Sequence, residues 1–314
     1  MKKYVVGIDI GGQSAKIGVV AADATIVAQG RMDTRSYGEG EHIRYMDDLI
    51  AAIHGVADPF WNDINGIGIG APNANHFSGC IEYAANLPWA HDKVVPFCKY
   101  ISEKTGLPVD ITNDANAAAV GEMHYGAARE MKDFIEITLG TGVGSGIIVD
   151  GKLVYGHDGF AGELGHVTVK RGGRQCGCGK KGCLEAYASA IGVARTAQEW
   201  IAGTDGPSLL RGKKDITSKD VAEAAEKGDL LAKQVFDYTG DILGAACADF
   251  VAFSAPEAII IFGGLAQAGD LLMKPAREAF EANLVHIWKG KVKFITSGLK
   301  ESDAAILGAS ALAW

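Results

Sequence analysis

The chain has 314 residues, of which 42 are glycine, and a net charge of −8 at pH 7. The length predicts two domains, because a single hydrophobic core seldom organises so long a chain. The acidic balance, with scattered basic residues, argues against a nucleic-acid partner, and no apolar run has the length of a membrane span. The apolar run at the N-terminus is too short for a signal peptide and is broken at Asp9, so we expect a cytoplasmic protein.

The first part of the sequence predicts a strand meander followed by alternating helices and strands. Apolar runs bounded by turn residues predict strands over residues 4–10, 15–21, 25–31, 66–70 and 108–112. Helical periodicity and alanine content predict helices near residues 42–57, 94–105 and 115–128.

The second part repeats the opening pattern. Strands are predicted over 133–139, 147–150, 152–155, 258–262 and 292–296, with Asp150-Gly151 as a hairpin turn. Helices are predicted near 185–202, 218–227, 230–254, 270–282 and 303–313. We place the domain boundary near Asn113–Asp114, with a smaller domain over 1–113 and a larger one over 114–302. The helix at 303–314 is expected to pack back on the smaller domain.

Three of the six cysteines lie in one glycine-rich segment, residues 163–185. Together with His166, the thiolates of Cys176, Cys178 and Cys183 make the ligand set of a closed tetrahedral zinc site. The alternatives are chance clustering or a disulfide, which would strand one cysteine and does not fit a cytosolic protein. Two carboxylates, Glu163 and Glu185, stand at the ends of the segment, and a bound metal would fix where both point.

Two glycine turns open the two similar halves. In the first, Asp9 precedes Gly11, Gly12 and Gln13, and backbone N–H groups of such a turn can bind an anion while Asp9 holds hydrated Mg²⁺. Alone, a Gly-Gly pair is more often a plain hairpin. The second turn, residues 139–146, contains four glycines but matches neither a Walker loop nor a dinucleotide fingerprint. Two such turns are what a phosphate clamped from both sides requires.

Asn113 and Asp114 lie where a predicted strand meets a predicted helix. One interpretation is a helix N-cap, in which the side chain satisfies free N–H groups. The other is a carboxylate that takes the proton from an attacking hydroxyl during phosphoryl transfer. The spacing alone leaves both open.

Together these motifs resemble the ROK family of sugar kinases and sugar-responsive repressors, over residues 4–311. Within that family the chain looks most like the bacterial glucokinases. The resemblance implies an α/β, two-domain actin/hexokinase-like ATPase fold, built from duplicated ribonuclease H-like units with the zinc segment inserted. It also implies a homodimer whose substrates are a hexose and ATP, with Mg²⁺ and a structural Zn²⁺.

The resemblance also assigns roles to individual residues. Asp114 matches the base that deprotonates the 6-hydroxyl of the sugar. The positions that match sugar-binding residues are Asn86, Asn113, Asp114, Glu163, His166 and Glu185. The positions that match the phosphate turns are Asp9, Gly11, Gly12, Gln13, Gly140, Thr141 and Gly142, and Gly263 and Gly264 match a loop near adenosine. His166 would bind zinc through one ring nitrogen and the sugar through the other.

The sequence departs from the family pattern at two places. Gln13 stands where threonine is common, which bears on the phosphoryl donor, and residues 71–75 replace a Pro-Gly loop, which bears on the choice of hexose. We therefore expect a hexose 6-kinase with glucose as the leading substrate. The alternatives are kinases for N-acetylmannosamine, N-acetylglucosamine, allose, mannose or fructose, a polyphosphate donor, and a binding protein without catalysis. A sugar-sensing regulator is disfavoured because the first strand begins at Tyr4 and leaves no room for a DNA-binding segment.

Overall fold

The structure, a computed structural model, describes residues 2–314 and contains two five-stranded sheets with equivalent strand orders. The strands are β1 (Tyr4–Ile10), β2 (Ser14–Ala21), β3 (Ile26–Asp33), β4 (Ile64–Gly70), β5 (Ala74–Asn75), β6 (Cys80–Glu82), β7 (Val94–Val95), β8 (Val109–Thr112), β9 (Phe134–Leu139), β10 (Val143–Val149), β11 (Lys152–Leu153), β12 (Ala258–Phe262) and β13 (Lys293–Thr296). The sheets run β3-β2-β1-β4-β8 and β11-β10-β9-β12-β13, and β5-β6-β7 form a small third sheet. The repeat predicted from the sequence is confirmed.

The first sheet brings three strand ends to one edge. Strand β1 pairs antiparallel with β2 and parallel with β4, and β4 pairs parallel with β8. In register, Asp9 lies beside Gly70, and Gly70 lies beside Thr112. The carboxyl ends of β1, β4 and β8 therefore lie next to one another, a common place for ligand-binding groups in α/β sheets.

The helices largely follow the predicted periodicity. They are α1 (His42–Ala57), α2 (Phe97–Thr105), α3 (Asp114–Tyr125), α4 (Glu185–Ala188), α5 (Ala190–Gly203), α6 (Ser218–Glu226), α7 (Leu230–Ser254), α8 (Asp270–Asn283) and α9 (Glu301–Ala311). None of the helices in the described part of the chain combines the length and the apolar character needed to cross a membrane.

Three helix predictions were wrong in extent. The helix expected over 115–128 runs from Asp114 to Tyr125. The helix expected over 94–105 begins only at Phe97, because Pro96 disfavours helical backbone in the residue before it, and Val94–Val95 pairs with β6 instead. The helix expected over 185–202 is two helices. Ser189 has extended backbone and its side chain accepts a hydrogen bond from the Gly192 N–H at 3.0 Å, so a new helix starts there.

The chain forms two compact units. Unit 1 contains the residues up to Lys132, Gly146–Gly162 and Ser297–Trp314, and unit 2 contains Asp133–Ser145 and Glu163–Thr296. This division differs from the boundary expected at Asn113–Asp114, because α3 lies in unit 1 and packs against α9 and β4. The glycines Gly121 and Gly308 permit that packing, since a Cβ on Gly121 would lie 2.8 Å from the Gly308 Cα.

Helix α9 covers one face of the first sheet, and its backbone lies directly against the strand backbone. A side chain at Gly7 would collide with the carbonyl oxygen of Ile306, and one at Gly68 would collide with that of Ala309. Glycine is therefore required at both strand positions. Beside them, Val5 and Val20 form a buried apolar cluster with residues of α9.

Candidate functional site

The first glycine turn closes the β1–β2 hairpin, as predicted. The Gly11 N–H donates to the Ser14 carbonyl oxygen at 3.0 Å, and the Gln13 carbonyl oxygen accepts from the Thr34 N–H at 3.0 Å. The Gln13 side chain is exposed. A Cβ on Gly12 would lie 3.0 Å from the Asn86 carbonyl oxygen, so this turn and the loop that carries Asn86 pack closely.

Asp9, at the end of β1, is partly buried, and its carboxyl group titrates abnormally. The pKa of Asp9 is raised to about 6, chiefly by loss of hydration and also by the negative charge of Asp114, while the positive charge of Lys16 opposes the rise. Gly70, on the strand between them, has no side chain that would separate the two, and a Cβ there would lie 3.6 Å from the Asp114 Cα. The two carboxylates therefore interact electrostatically within unit 1.

Asn113 is the N-cap of α3. Its Oδ1 accepts a hydrogen bond from the Ala115 N–H at 2.9 Å. Asp114 Oδ1 accepts from the same N–H at 2.8 Å, whereas its Oδ2 makes no hydrogen bond among residues 2–314. The capping role left open by the sequence therefore belongs to Asn113. Asp114 is an exposed residue, but many protein atoms surround its carboxyl group and reduce its hydration. This loss of hydration raises the pKa of Asp114, whereas the hydrogen bond from the Ala115 N–H lowers it.

The loop that carries Asn86 is anchored by aromatic packing. Asn86 is exposed, and the nearby Trp89 is fully buried with its ring stacked on Tyr45 at a centroid separation of 4.1 Å. In the neighbouring loop at 71–75, Asn75 is buried and bonded internally. Its Nδ2 donates to the Asp158 carbonyl oxygen at 2.8 Å, and its Oδ1 accepts from the Phe77 N–H at 3.0 Å. This asparagine therefore shapes the loop.

The ligand atoms of His166, Cys176, Cys178 and Cys183 all lie within 4.8 Å of one another. His166 Nδ1 is 3.7 Å from Cys176 Sγ, and Cys178 Sγ is 3.7 Å from Cys183 Sγ. Metal–sulfur bonds of about 2.3 Å give a tetrahedron with edges of about 3.8 Å, so one metal ion fits among these atoms. The sequence prediction of a four-ligand cluster agrees with this geometry.

The segment that carries these ligands, residues 163–185 and here called the metal segment, folds as a series of tight backbone turns. The Gly182 carbonyl oxygen accepts from the Val169 N–H, and the Cys176 N–H donates to the Lys180 carbonyl oxygen, both at 2.9 Å. Gly182 has a φ of +82°, and a side chain there would collide with the Lys170 carbonyl oxygen. These contacts bring together ligands that are separated in sequence.

Arg174 attaches the metal segment to α5, a role that the sequence analysis missed. Its side chain is 8% exposed and pairs with Glu199 at 2.6 Å. It also donates to Thr196 Oγ1 at 2.9 Å and lies over the Tyr187 ring, 4.7 Å from its centroid. The sequence showed only that basic residues are clustered here, and such clusters are usually solvated.

The two carboxylates at the ends of the metal segment make different contacts. Glu163 Oε2 lies 3.9 Å from His166 Nε2, the ring nitrogen that does not face Cys176. Glu185 Oε1 lies 3.4 Å from Cys176 Sγ, and Glu185 Oε2 accepts a hydrogen bond from the Val143 N–H at 3.1 Å. Glu185 thus contacts Cys176 and is hydrogen-bonded to the backbone directly after the second glycine turn.

The second glycine turn is shorter than predicted, since β10 already begins at Val143. The Gly140 N–H donates to the Gly142 carbonyl oxygen at 3.0 Å, and the Gly140 carbonyl oxygen accepts from the Ala190 N–H at 2.9 Å, at the start of α5. Gly263 packs under β9 with a φ of +103°, where a side chain would meet the Leu139 carbonyl oxygen. Gly264 begins a short 3₁₀ segment, Gly264–Ala268.

A cavity of about 600 Å³ opens beside the second turn, and no sequence pattern predicted it. Residues of α5 and of the segment before α6 form its walls. The lining residues are Thr141, Ala190, Ile191, Ala194, Arg195, Gln198, Ile216, Thr217 and Ser218. They are separated in sequence and include both apolar and polar side chains, as in sites for small organic molecules.

Comparisons with known proteins identify the family of this chain. Residues 5–314 match the ROK family. The chain belongs to the ROK family. It is 37% identical to a glucokinase of Halalkalibacterium halodurans, over 98% of this chain and 93% of that protein. It also matches the crystal structure of a ROK family glucokinase from Streptomyces griseus in complex with glucose and AMPPNP, with a TM-score of 0.81, 34% identity and 98% coverage of both chains. A xylose repressor of Caldicellulosiruptor bescii is 32% identical over 86% of this chain and 67% of its own length.

Membership of the ROK family supports the actin/hexokinase-like fold expected from the sequence.

Proposed function

We propose that this ROK family protein is an ATP-dependent hexose kinase that phosphorylates the 6-hydroxyl of glucose. The observation that carries the proposal is Asp114, which stands at the carboxyl end of β8 with one carboxylate oxygen unbonded among the described residues. The near full-length similarity to glucokinases supports glucose as the hexose.

In the proposed reaction, Asp114 accepts the proton of the 6-hydroxyl while O6 forms a bond to the γ-phosphorus of ATP. The bond from that phosphorus to the β–γ bridging oxygen breaks, and ADP leaves with its electron pair. The products are glucose 6-phosphate, ADP and one proton. Because the pKa of Asp114 is raised, its carboxylate is a better proton acceptor than an ordinary aspartate. Asn113 caps α3 and thereby holds Asp114 in place as the first residue of that helix.

The nucleotide is assigned to both glycine turns. In unit 1 these are the N–H groups around Gly11, Gly12 and Gln13, and in unit 2 those of Gly140, Thr141 and Gly142. Thr141 also lines the 600 Å³ cavity, which we assign to the nucleoside of ATP, with Gly263 and Gly264 nearby in unit 2. When bound, Mg²⁺ neutralises phosphate charge, and Asp9 at the end of β1 is the residue that we assign to hold it.

The hexose is assigned to Asn86, Asn113 and Asp114 in unit 1, and to Glu163, His166 and Glu185 in unit 2. In this assignment His166 uses Nδ1 for the metal and Nε2 for the sugar, which agrees with its two contacts. We propose that the metal is Zn²⁺ and structural, because protein ligands occupy all four positions. Reduced cysteines are required for it, which favours the cytoplasm.

We also propose a homodimer, on the basis of the family resemblance. Exposed apolar side chains of unit 2, such as Phe253 at 77% exposure, offer surface for a second copy. Sedimentation of the purified protein at several concentrations tests this state.

A coupled assay of ADP release tests the proposed function. The panel contains glucose, mannose, fructose, allose, N-acetylglucosamine and N-acetylmannosamine, each with ATP and with polyphosphate. We expect the highest kcat/KM for glucose with ATP. Turnover of a different sugar would correct the substrate. Sugar binding without turnover of any member of the panel would favour a sensor such as the xylose repressors.

A further inference from the structure

Glu185, whose carboxylate contacts Cys176 and the first residue of β10, lies against residues assigned to the nucleotide. Its Oε2 accepts a hydrogen bond from the Val143 N–H at 3.1 Å, directly after the turn. The bond is charge-assisted, which makes it stronger than a bond between neutral groups. It therefore restrains the backbone where the turn enters β10.

Gly142 provides the space for this carboxylate. A side chain at that position would collide with Glu185 Oε2 and would lie 3.3 Å from its Cδ. The backbone of Gly142 is outside the left-handed region, so glycine is not required there for its conformation. A side chain at this position would therefore displace the carboxylate from the place where it accepts the Val143 N–H.

A second contact fastens the other end of the metal segment to the same strand. The Leu164 N–H donates to Ser145 Oγ at 3.2 Å, and a side chain on Gly165 would collide with the Val143 carbonyl oxygen. The segment from Glu163 to His166 thus rests on the first residues of β10. All of these residues belong to unit 2.

We propose that Glu185 is a positioning residue for the phosphate turn and couples sugar binding to nucleotide binding. A sugar hydroxyl that bonds to Glu185 fixes the same carboxylate that holds Val143, and a turn ordered by phosphate fixes the carboxylate that receives the sugar. Each ligand therefore lowers the ordering cost of the other, and the coupling is reciprocal. The inference rests on the proposed function, since it needs both ligands to bind where they were assigned.

Two binding measurements on the full-length, metal-loaded protein test it. Mg²⁺ with AMPPNP is titrated without sugar, and glucose is titrated without nucleotide. Glu185→Ala removes the acceptor of the Val143 N–H, and we expect it to weaken AMPPNP binding about tenfold although no sugar is present. Glu185→Gln keeps an acceptor oxygen and should stay within about threefold of the wild type.

Gly142→Ala tests the same contact from the turn. The added methyl group displaces the Glu185 carboxylate, so glucose affinity measured without nucleotide should fall about tenfold. This variant also serves if Glu185→Ala does not fold. Asn86→Ala is the matched control: it removes a proposed sugar contact of unit 1 and should weaken glucose binding while leaving AMPPNP binding unchanged. Metal content and melting temperature establish that each variant is folded.

The outcomes separate this inference from the function on which it rests. If the wild-type protein binds neither ligand, the proposed function is overturned and the coupling with it. If the wild type binds both while Glu185→Ala keeps full AMPPNP affinity, or Gly142→Ala keeps full glucose affinity, the coupling alone is refuted.

Discussion

The negative charge of Asp114 raises the pKa of Asp9, although the two residues lie at the ends of different strands with β4 between them. One is proposed to accept a proton and the other to hold Mg²⁺. Each task requires an ionised carboxylate, and like charges oppose the ionisation of both. A bound cation relieves this conflict because it stabilises the charged form of Asp9.

Replacement of Asp9 tests how much the ionisation of its carboxyl group destabilises the folded protein. The folded-state pKa of about 6 lies above the ordinary value of 3.8, so the folded protein binds this proton more tightly than the unfolded chain. Ionisation of Asp9 therefore lowers stability as the pH rises from about 4 to above 6. We expect Asp9→Asn to match the wild type near pH 4 and to be more stable at pH 7, by on the order of 2 kcal/mol. Urea unfolding at both pH values, without metal or nucleotide, measures the difference, and an equal ΔΔG at both would contradict it.

Replacement of Asp114 by asparagine should lower kcat about 10³-fold, because the proton acceptor is lost while the size of the side chain is kept. The Kd for glucose should change little. Asp110→Asn is the control, since it neutralises a nearby carboxylate that pairs with His76 at 2.8 Å. A variant of Asp114 that kept most of its kcat would refute its role as the base.

The metal cluster should contain one zinc ion per chain. Removal of zinc, or the change Cys178→Ser, should lower the melting temperature and weaken glucose binding, because His166, Glu163 and Glu185 lose their fixed positions. Elemental analysis and calorimetry measure both effects. Cys80→Ser, outside the cluster, should change neither. Unchanged glucose affinity in protein shown to lack metal would break the proposed link.

Arg174→Ala should destabilise the protein by about 2–3 kcal/mol. It leaves Thr196 Oγ1 and the carbonyl oxygens of Ala186 and Gly192 without the Arg174 donor, and it uncovers the Tyr187 ring. Arg171→Ala, at an exposed position of the same segment, should stay within about 0.5 kcal/mol. Chemical denaturation of the two variants gives the comparison. Similar losses for both would show that Arg174 acts only as a surface charge.

Partial filling of the 600 Å³ cavity tests its assignment to the nucleoside. Ala194→Leu places extra carbon atoms in the cavity and should raise the KM for ATP severalfold while the KM for glucose changes little. Ala202→Leu, at an exposed position of the same helix, serves as the control. If the KM for ATP stays the same in Ala194→Leu, the nucleoside binds elsewhere.

Local patterns predicted much of this structure. The bounds of β1, α7 and β12 agree with the sequence analysis, because their apolar periodicity is strong and their ends carry turn residues. The clustering of His166 with three cysteines was also predictable, since the four residues are close in sequence. Errors arose where one residue changes the backbone, as at Pro96 and at Ser189.

Contacts between distant segments were not predictable in this way. The cavity joins Thr141 to residues of α5 and to the segment around Ile216, and no local pattern connects them. The bond from the Val143 N–H to Glu185 likewise joins residues 42 positions apart. A buried arginine such as Arg174 has the same sequence signature as a solvated one, and only its partners show the difference.

The packing of α9 on the first sheet has a consequence for biosynthesis. The ribosome makes β1 and β4 early, but the helix that covers Gly7 and Gly68 is made only after all of unit 2. Until then no α9 residue covers Val5 and Val20, and transiently exposed apolar surface of this kind favours aggregation during folding. The elements translated first are thus among the last to be completed.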